Sequence, residues 1–249
     1  MSFNFGTEPV QAGGIIKQAG EGQHEGRLLG LVHLGMFADT YEGQVKAPAP
    51  FVCALIELKS GEEAGGVNED GSPIITHKTF PLKRSDRAFL TKFLKVMFTT
   101  EEFKQFNAGV LEGGFEDLIG RPLLVDMEGS KTKNDDGTPA YVNVTGMSKM
   151  PNKLASICDE LVNDPIGHIT LENYTEDALR AIPAFEIYSK LELADNFPGS
   201  VAEEVLFSVR EKTPDFGKKS TKSDDKTGAP EAPKYQEQKR DLDEEEDFS

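Results

Sequence analysis

At 249 residues and a formal charge of −16, the chain has room for one large domain or two small ones, and its charge balance runs against a protein coated in basic surface. Only 37% of its residues are hydrophobic, so part of the chain is expected to stay unpacked. No run of about 18 apolar residues is present to span a membrane, MSFNFGTEPVQAGG lacks the basic start and apolar stretch of a secretory signal, and Cys53 and Cys158 read as reduced thiols in a cytoplasmic protein.

Residues 1–24 are rich in Gly and Gln and read as an arm. GRLLGLVHLGMF (26–37) is a near-continuous apolar run and predicts a buried strand. FVCALIELK (51–59) alternates, with Val52, Ala54, Ile56 and Leu58 on one face, and predicts a second. IITHKTFPLK (74–83) predicts a third, with Pro81 at an edge or bulge. The period then changes. Phe89, Leu90, Phe93, Leu94 and Met97 share a helical face, with Ser85 and Asp86 as the expected cap and first turn. A short helix, TEEFKQFN, follows. Strands are expected over 121–133 and 140–150, joined by the hairpin NDDGTP, with Val142 and Val144 inward.

Three strands, a helix and two strands predict an α+β fold, mainly β: a five-stranded OB-fold barrel over residues 25–151, its helix between strands three and four. Residues 152–216 predict a helical extension packed on that core through Phe185, Ile187, Tyr188 and Leu191. Its last helix is opened by Ser200 and Glu203 as a capping box. Residues 217–249 carry almost no aliphatic side chain and are expected to be a disordered acidic tail.

Enzyme signatures are missing: no GxxxxGK[ST], GxSxG, HExxH or CxxC is present, so no catalytic residue and no cofactor is expected. The four histidines, His24, His33, His77 and His168, are scattered in sequence and do not read as a metal set. Charge is unevenly spread. His77–Lys95 holds six cations (Lys78, Lys83, Arg84, Arg87, Lys92, Lys95) against Asp86 alone. A solvated helix face explains that as readily as a ligand site does. Single strands of nucleic acid are held by cations on phosphates and rings on bases. The candidate set is therefore Phe51, His77, Lys78, Phe80, Lys83, Arg84 and Arg87, with Lys131, Lys133 and Tyr141 from the hairpin. Phe51, Phe80 and Tyr141 are the expected stacking platforms; a core role suits each ring equally well.

The chain ends DLDEEEDFS. Asp241, Asp243, Glu244, Glu245, Glu246 and Asp247 imitate a phosphate backbone, and Phe248 offers a partner an aromatic anchor. Such a strip can compete for the chain's own cationic groove and can hook other proteins.

With GRLLGLVHLG, FVCALIEL, EDGSPIITHKTFPL, DLIGRPLLVDM, YVNVTGMSKMP and the EEEDFS terminus in view, the chain resembles the phage-encoded single-stranded-DNA-binding proteins over roughly residues 25–216. The tail departs from that pattern by placing Ser249 after the ring. The resemblance implies a cytoplasmic role in DNA replication and recombination in a bacterium infected by a bacteriophage. It implies coating of single-stranded DNA and recruitment of polymerase, primase-helicase or nuclease through the tail. The rival expectation is a protein-interaction scaffold on the same fold with no DNA contact, and a metal-dependent nuclease is the third class.

Overall fold

The fold is arranged about one long strand. In the computed structural model, which describes residues 18–219 apart from 39, 42–43, 46 and 112–113, β1 runs Gly22–Phe37. A two-residue ladder, β2 (Thr40–Tyr41) with β3 (Gln44–Val45), leads to β4 (Ala49–Leu58) and β5 (Ile75–Pro81). Helices α1 (Phe89–Met97) and α2 (Thr100–Ala108) come next, then β6 (Pro122–Gly129) and β7 (Val142–Lys149). The rest is α3 (Asn152–Ala155), β8 (Gly167–Ile169), α4 (Glu176–Ala181), α5 (Ala184–Ser189) and α6 (Val201–Lys212). The α1 helix starts at Phe89, later than Ser85 suggests; residues 85–88 form a turn, and Ala88 is the N-cap.

The main sheet has the order β5-β4-β1-β6-β7, antiparallel throughout, with β8 lying parallel to Gly30–Val32 of β1. Two register shifts against β4, at Leu28/Gly30 and His33/Gly35, let β1 bend. Its first half pairs with β6 and its second with β8. The sheet is open: among the described residues no ladder joins its edge strands, β5 and β7, so the closed five-stranded barrel expected from the sequence is corrected to an open sheet. One side chain bridges the gap. Lys78 Nζ on β5 donates to Val144 O on β7 at 2.7 Å, using an acceptor that a closing ladder would need.

Both faces of β1 and β4 are covered. On one, Leu28, Leu31, Val52, Ala54, Ile56 and Phe80 pack with Leu90, Phe93, Leu94 and Met97 of α1. On the other, Leu29, Val32, Leu34, Cys53 and Leu55 pack under Ile187, Leu191, Leu206 and Val209 from residues 166–209. A strand buried on both faces has no solvent side to mark with polar residues, which explains the unbroken apolar run of β1. Of the four anchors expected in the extension, Ile187 and Leu191 are fully buried, Tyr188 is half-buried and Phe185 is exposed.

Polar clasps join the extension to the sheet alongside the apolar packing. Arg27 donates to the carbonyls of Gly120 (2.5 Å), Cys158 (2.8 Å) and Asp159 (2.7 Å). Glu57, fully buried in β4, accepts from the backbone N–H groups of Val162 and Asn163 at 2.9 Å each and from Asn163 Nδ2 at 2.7 Å, and it pairs with Lys59. Gly35 sits at φ +86°, where an added Cβ would overlap the Ala194 methyl and lie 2.8 Å from Asn196 Oδ1. Gly35→Ala is therefore expected to cost about 2 kcal/mol or more through backbone strain and overlap, read as a lower midpoint in urea.

Two loops repeat one design. Asn68-Glu-Asp-Gly-Ser-Pro precedes β5, and Asn134-Asp-Asp-Gly-Thr-Pro precedes β7. In each the Asn Nδ2 donates to the hydroxyl of the Ser or Thr (both 3.0 Å), and the Asp carboxylate accepts from that residue's N–H (both 2.9 Å). The glycines, at φ +81° and +83°, take the left-handed corner. Both hairpins leave the same end of the sheet, away from α1, with residues 18–21 between them: Gly20 N donates to Gly65 O, and Gln18 Nε2 to Ala140 O.

Candidate functional site

Strand alternation divides the sequence-derived binding set. On β5, His77 pairs with Leu55 and faces the extension, whereas Lys78 and Phe80 pair with Ala54 and Val52 and face α1. Phe80 is 3% exposed, 4.8 Å from the Phe89 ring and 5.4 Å from that of Phe93. It is a core residue, and its expected stacking role is corrected: no base can reach it. Phe80→Leu is expected to cost about 1–2 kcal/mol of stability and to leave any ligand affinity unchanged, a comparison that denaturation and titration of one variant supply. Lys78 likewise is spent in the seam between β5 and β7, and burial pulls its ammonium below the usual lysine range.

The opposite face of β4 and β5 lies beneath α5. There the Glu186 carboxylate, 6% exposed, takes Lys190 Nζ at 2.5 Å and stands 4.0 Å from His77 Nε2. Partial burial moves His77 below the ordinary histidine value, against the pull of Glu186. Phe51 is half-buried, stacked on Phe37 with centroids 4.1 Å apart and planes 16° from parallel, and it packs against the extension. The face expected to hold bases is thus largely occupied by the protein's own helix.

Lys131 and Lys133 are exposed and Tyr141 is half-buried, all in the hairpin before β7. Lys149, at the other end of β7, donates to Phe98 O beside α1 at 3.5 Å. An eight-residue strand spans about 25 Å, so the hairpin lysines stand far from the cations near α1. The tail residues Asp241, Asp243, Glu244, Glu245, Glu246, Asp247 and Phe248 lie outside the described residues.

What the fold does gather is the β5–α1 connection with α1 and α2. Lys83, Arg84, Arg87, Lys92 and Lys95 are all exposed. None has a carboxylate within 4.0 Å among the described residues. By contrast, Arg27, Lys59, Lys104, Arg121, Arg180, Lys190, Arg210 and Lys212 each do. Between α1 and α2 lies a groove of about 260 Å³ with Arg84, Ser85, Asp86, Lys95, Phe103 and Phe106 on its walls. Arg84 lies over the Phe106 ring at 4.7 Å and Lys95 over Phe103 at 5.7 Å. Cationic and aromatic side chains thus share the walls of one groove.

The α2 helix is opened by a capping box. Thr99 accepts from Glu102 N at 3.2 Å, and Glu102 accepts from Thr99 N at 2.7 Å. Hydrogen bonds from Arg121 and Thr99 hold the Glu102 carboxyl down to about 2. Phe103 and Phe106 were the ring pair that the sequence reading passed over. Their i, i+3 spacing on a helix directly after the basic one was the available signal.

A second assembly joins residues far apart in sequence. His33 Nε2 on β1 meets His168 Nε2 on β8 at 3.0 Å, and His168 Nδ1 meets Glu116 Oε1 at 2.9 Å. Burial, reinforced by His168, pushes His33 down to about 4. Scattered in sequence, two of the four histidines are in contact in space.

Comparison with protein-family models, with curated proteins and with solved structures finds no match. No helix among the described residues is long and apolar enough to cross a membrane.

Proposed function

We propose that this protein binds single-stranded DNA with little sequence preference, through the β5–α1 connection, α1 and α2. The observation that carries the reading is the clustering within residues 83–95 of five exposed cations that have no carboxylate partner among the described residues, in a chain of net charge −16. Cations left free in so acidic a molecule sit ready for a polyanion, because no internal partner must first be displaced. The half-buried rings of Phe103 and Phe106 offer stacking surface next to Arg84 and Lys95, and a stacked base contributes about 1–3 kcal/mol.

The sheet order and the helix between β5 and β6 support an OB-type architecture, opened along the β5–β7 seam. The acidic C-terminal residues act in this reading as a competitor for the groove and as the hook for replication and recombination proteins. The cover that α5 places over β4 and β5 favours a second reading, a protein-interaction scaffold without DNA contact.

Titration of the full chain with labelled oligo-dT at two salt concentrations separates them. Saturable binding that weakens steeply with salt supports the first, and no binding at micromolar protein at low salt leaves the scaffold. Removal of residues 220–249, which spares the partly buried Phe216, is expected to tighten binding; weaker binding sinks the competitor role.

A further inference from the structure

We propose that His33 and His168 form a binding site for a first-row divalent transition-metal ion such as Zn2+, with Glu116 orienting His168 from outside the coordination shell. The carboxylate of Glu116 accepts only, so the nitrogen that faces it, His168 Nδ1, carries a proton. In the neutral ring this leaves Nε2 with a lone pair aimed at His33. A carboxylate on the far nitrogen of a ligating imidazole fixes its tautomer and raises its basicity.

The two Nε2 atoms converge at 3.0 Å. At metal–nitrogen distances of about 2.0–2.1 Å they would subtend about 95° at an ion between them, and parting by about 0.3–0.4 Å opens this to a tetrahedral angle. In the metal-free pair one Nε2 must carry the hydrogen that joins the rings. On binding, that proton moves to Nδ1 of His33, so both Nε2 lone pairs face the ion. The His168 side chain is 15% exposed, which gives an ion a path in. Glu172 adds negative charge beside His33.

No group of three or more His, Cys, Asp or Glu side chains is assembled around a common point among the described residues. Water therefore completes the shell, and affinity is expected to rise from Co2+ to Ni2+ to Cu2+. The site does not rest on DNA binding. It joins β1 to β8, so occupancy would tie the extension to the sheet and raise the unfolding temperature.

The test uses the full-length protein and ZnCl2. Imidazole nitrogen NMR signals of His33 and His168 are expected to shift together as Zn2+ is added, while those of His24 and His77 stay in place. Calorimetry is expected to show binding at least 10-fold weaker in His33→Asn and in His168→Asn, and about 10-fold weaker in Glu116→Gln. Unmoved His33 and His168 signals at saturating Zn2+ overturn the site, because they need no variant that has to fold. So does wild-type affinity in both histidine variants.

Discussion

Replacing Arg84, Arg87, Lys92 and Lys95 together by alanine is expected to flatten the salt dependence of oligo-dT binding. Each phosphate contact on a single strand contributes about −0.7 to the slope of log K against log salt. Four contacts therefore account for a slope of about −3, or roughly a 50-fold loss of affinity between about 50 and 200 mM salt. The variant should lose that component and bind weakly even at low salt. Its fold should survive, since exposed cations without carboxylate partners among the described residues hold no internal ion pair. Arg84 over Phe106 and Lys95 over Phe103 are the contacts removed that touch rings beside the core. Lys131→Ala with Lys133→Ala, at the far end of β7, is the matched control. If the four-site variant keeps wild-type affinity and slope while the hairpin variant loses both, DNA is held at the hairpin and the α1 groove is empty of function.

Glu57→Ala should be the most damaging single change for stability, at about 3–5 kcal/mol. The carboxylate is fully buried, and three N–H donors and Lys59 converge on it. Removing it leaves those donors without an acceptor and leaves a lysine that is 5% exposed without its partner. Burial by itself would raise the Glu57 carboxyl. The hydrogen bonds from Lys59, Val162 and Asn163 outweigh that and hold it below its ordinary value near 4.5. The unfolded state then binds the proton more readily. The stabilisation is accordingly complete above about pH 4.5 and drains away as pH falls through the lowered folded value. Urea denaturation at several pH values should show a steeper acid loss for the wild type than for Glu57→Gln. Equal slopes would mean that the clasp is maintained by geometry alone.

The strands and α1 were legible in the sequence because burial writes a period into it. Val142 and Val144 point inward as their alternation indicates, and the α1 stripe of Leu90, Phe93, Leu94 and Met97 is the buried one. What failed was inference from linear neighbourhood. His77, Lys78 and Phe80 stand within four positions, yet alternation sends His77 to the face opposite the other two. A charged segment read as a block concealed that division. That the extension packs on the core was expected, but its place over β4 was not legible, since Cys53 and Leu55 are apolar whether the layer above them is solvent, ligand or the chain's own helix. The two histidines needed the parallel pairing of β8, a three-residue strand too short to announce itself. The repeat of Asn-x-Asp-Gly-[Ser/Thr]-Pro, in contrast, stands open to inspection in the sequence at 68–73 and 134–139.

The double cover of β1 also bears on how the chain is made. Leu29, Val32, Leu34 and Leu55 leave the ribosome more than 100 residues ahead of Ile169, Ile187 and Leu206, which shield them. At about 5–20 residues per second, the nascent sheet waits several seconds with one greasy side bare. That interval is when a holding chaperone would matter most to this protein.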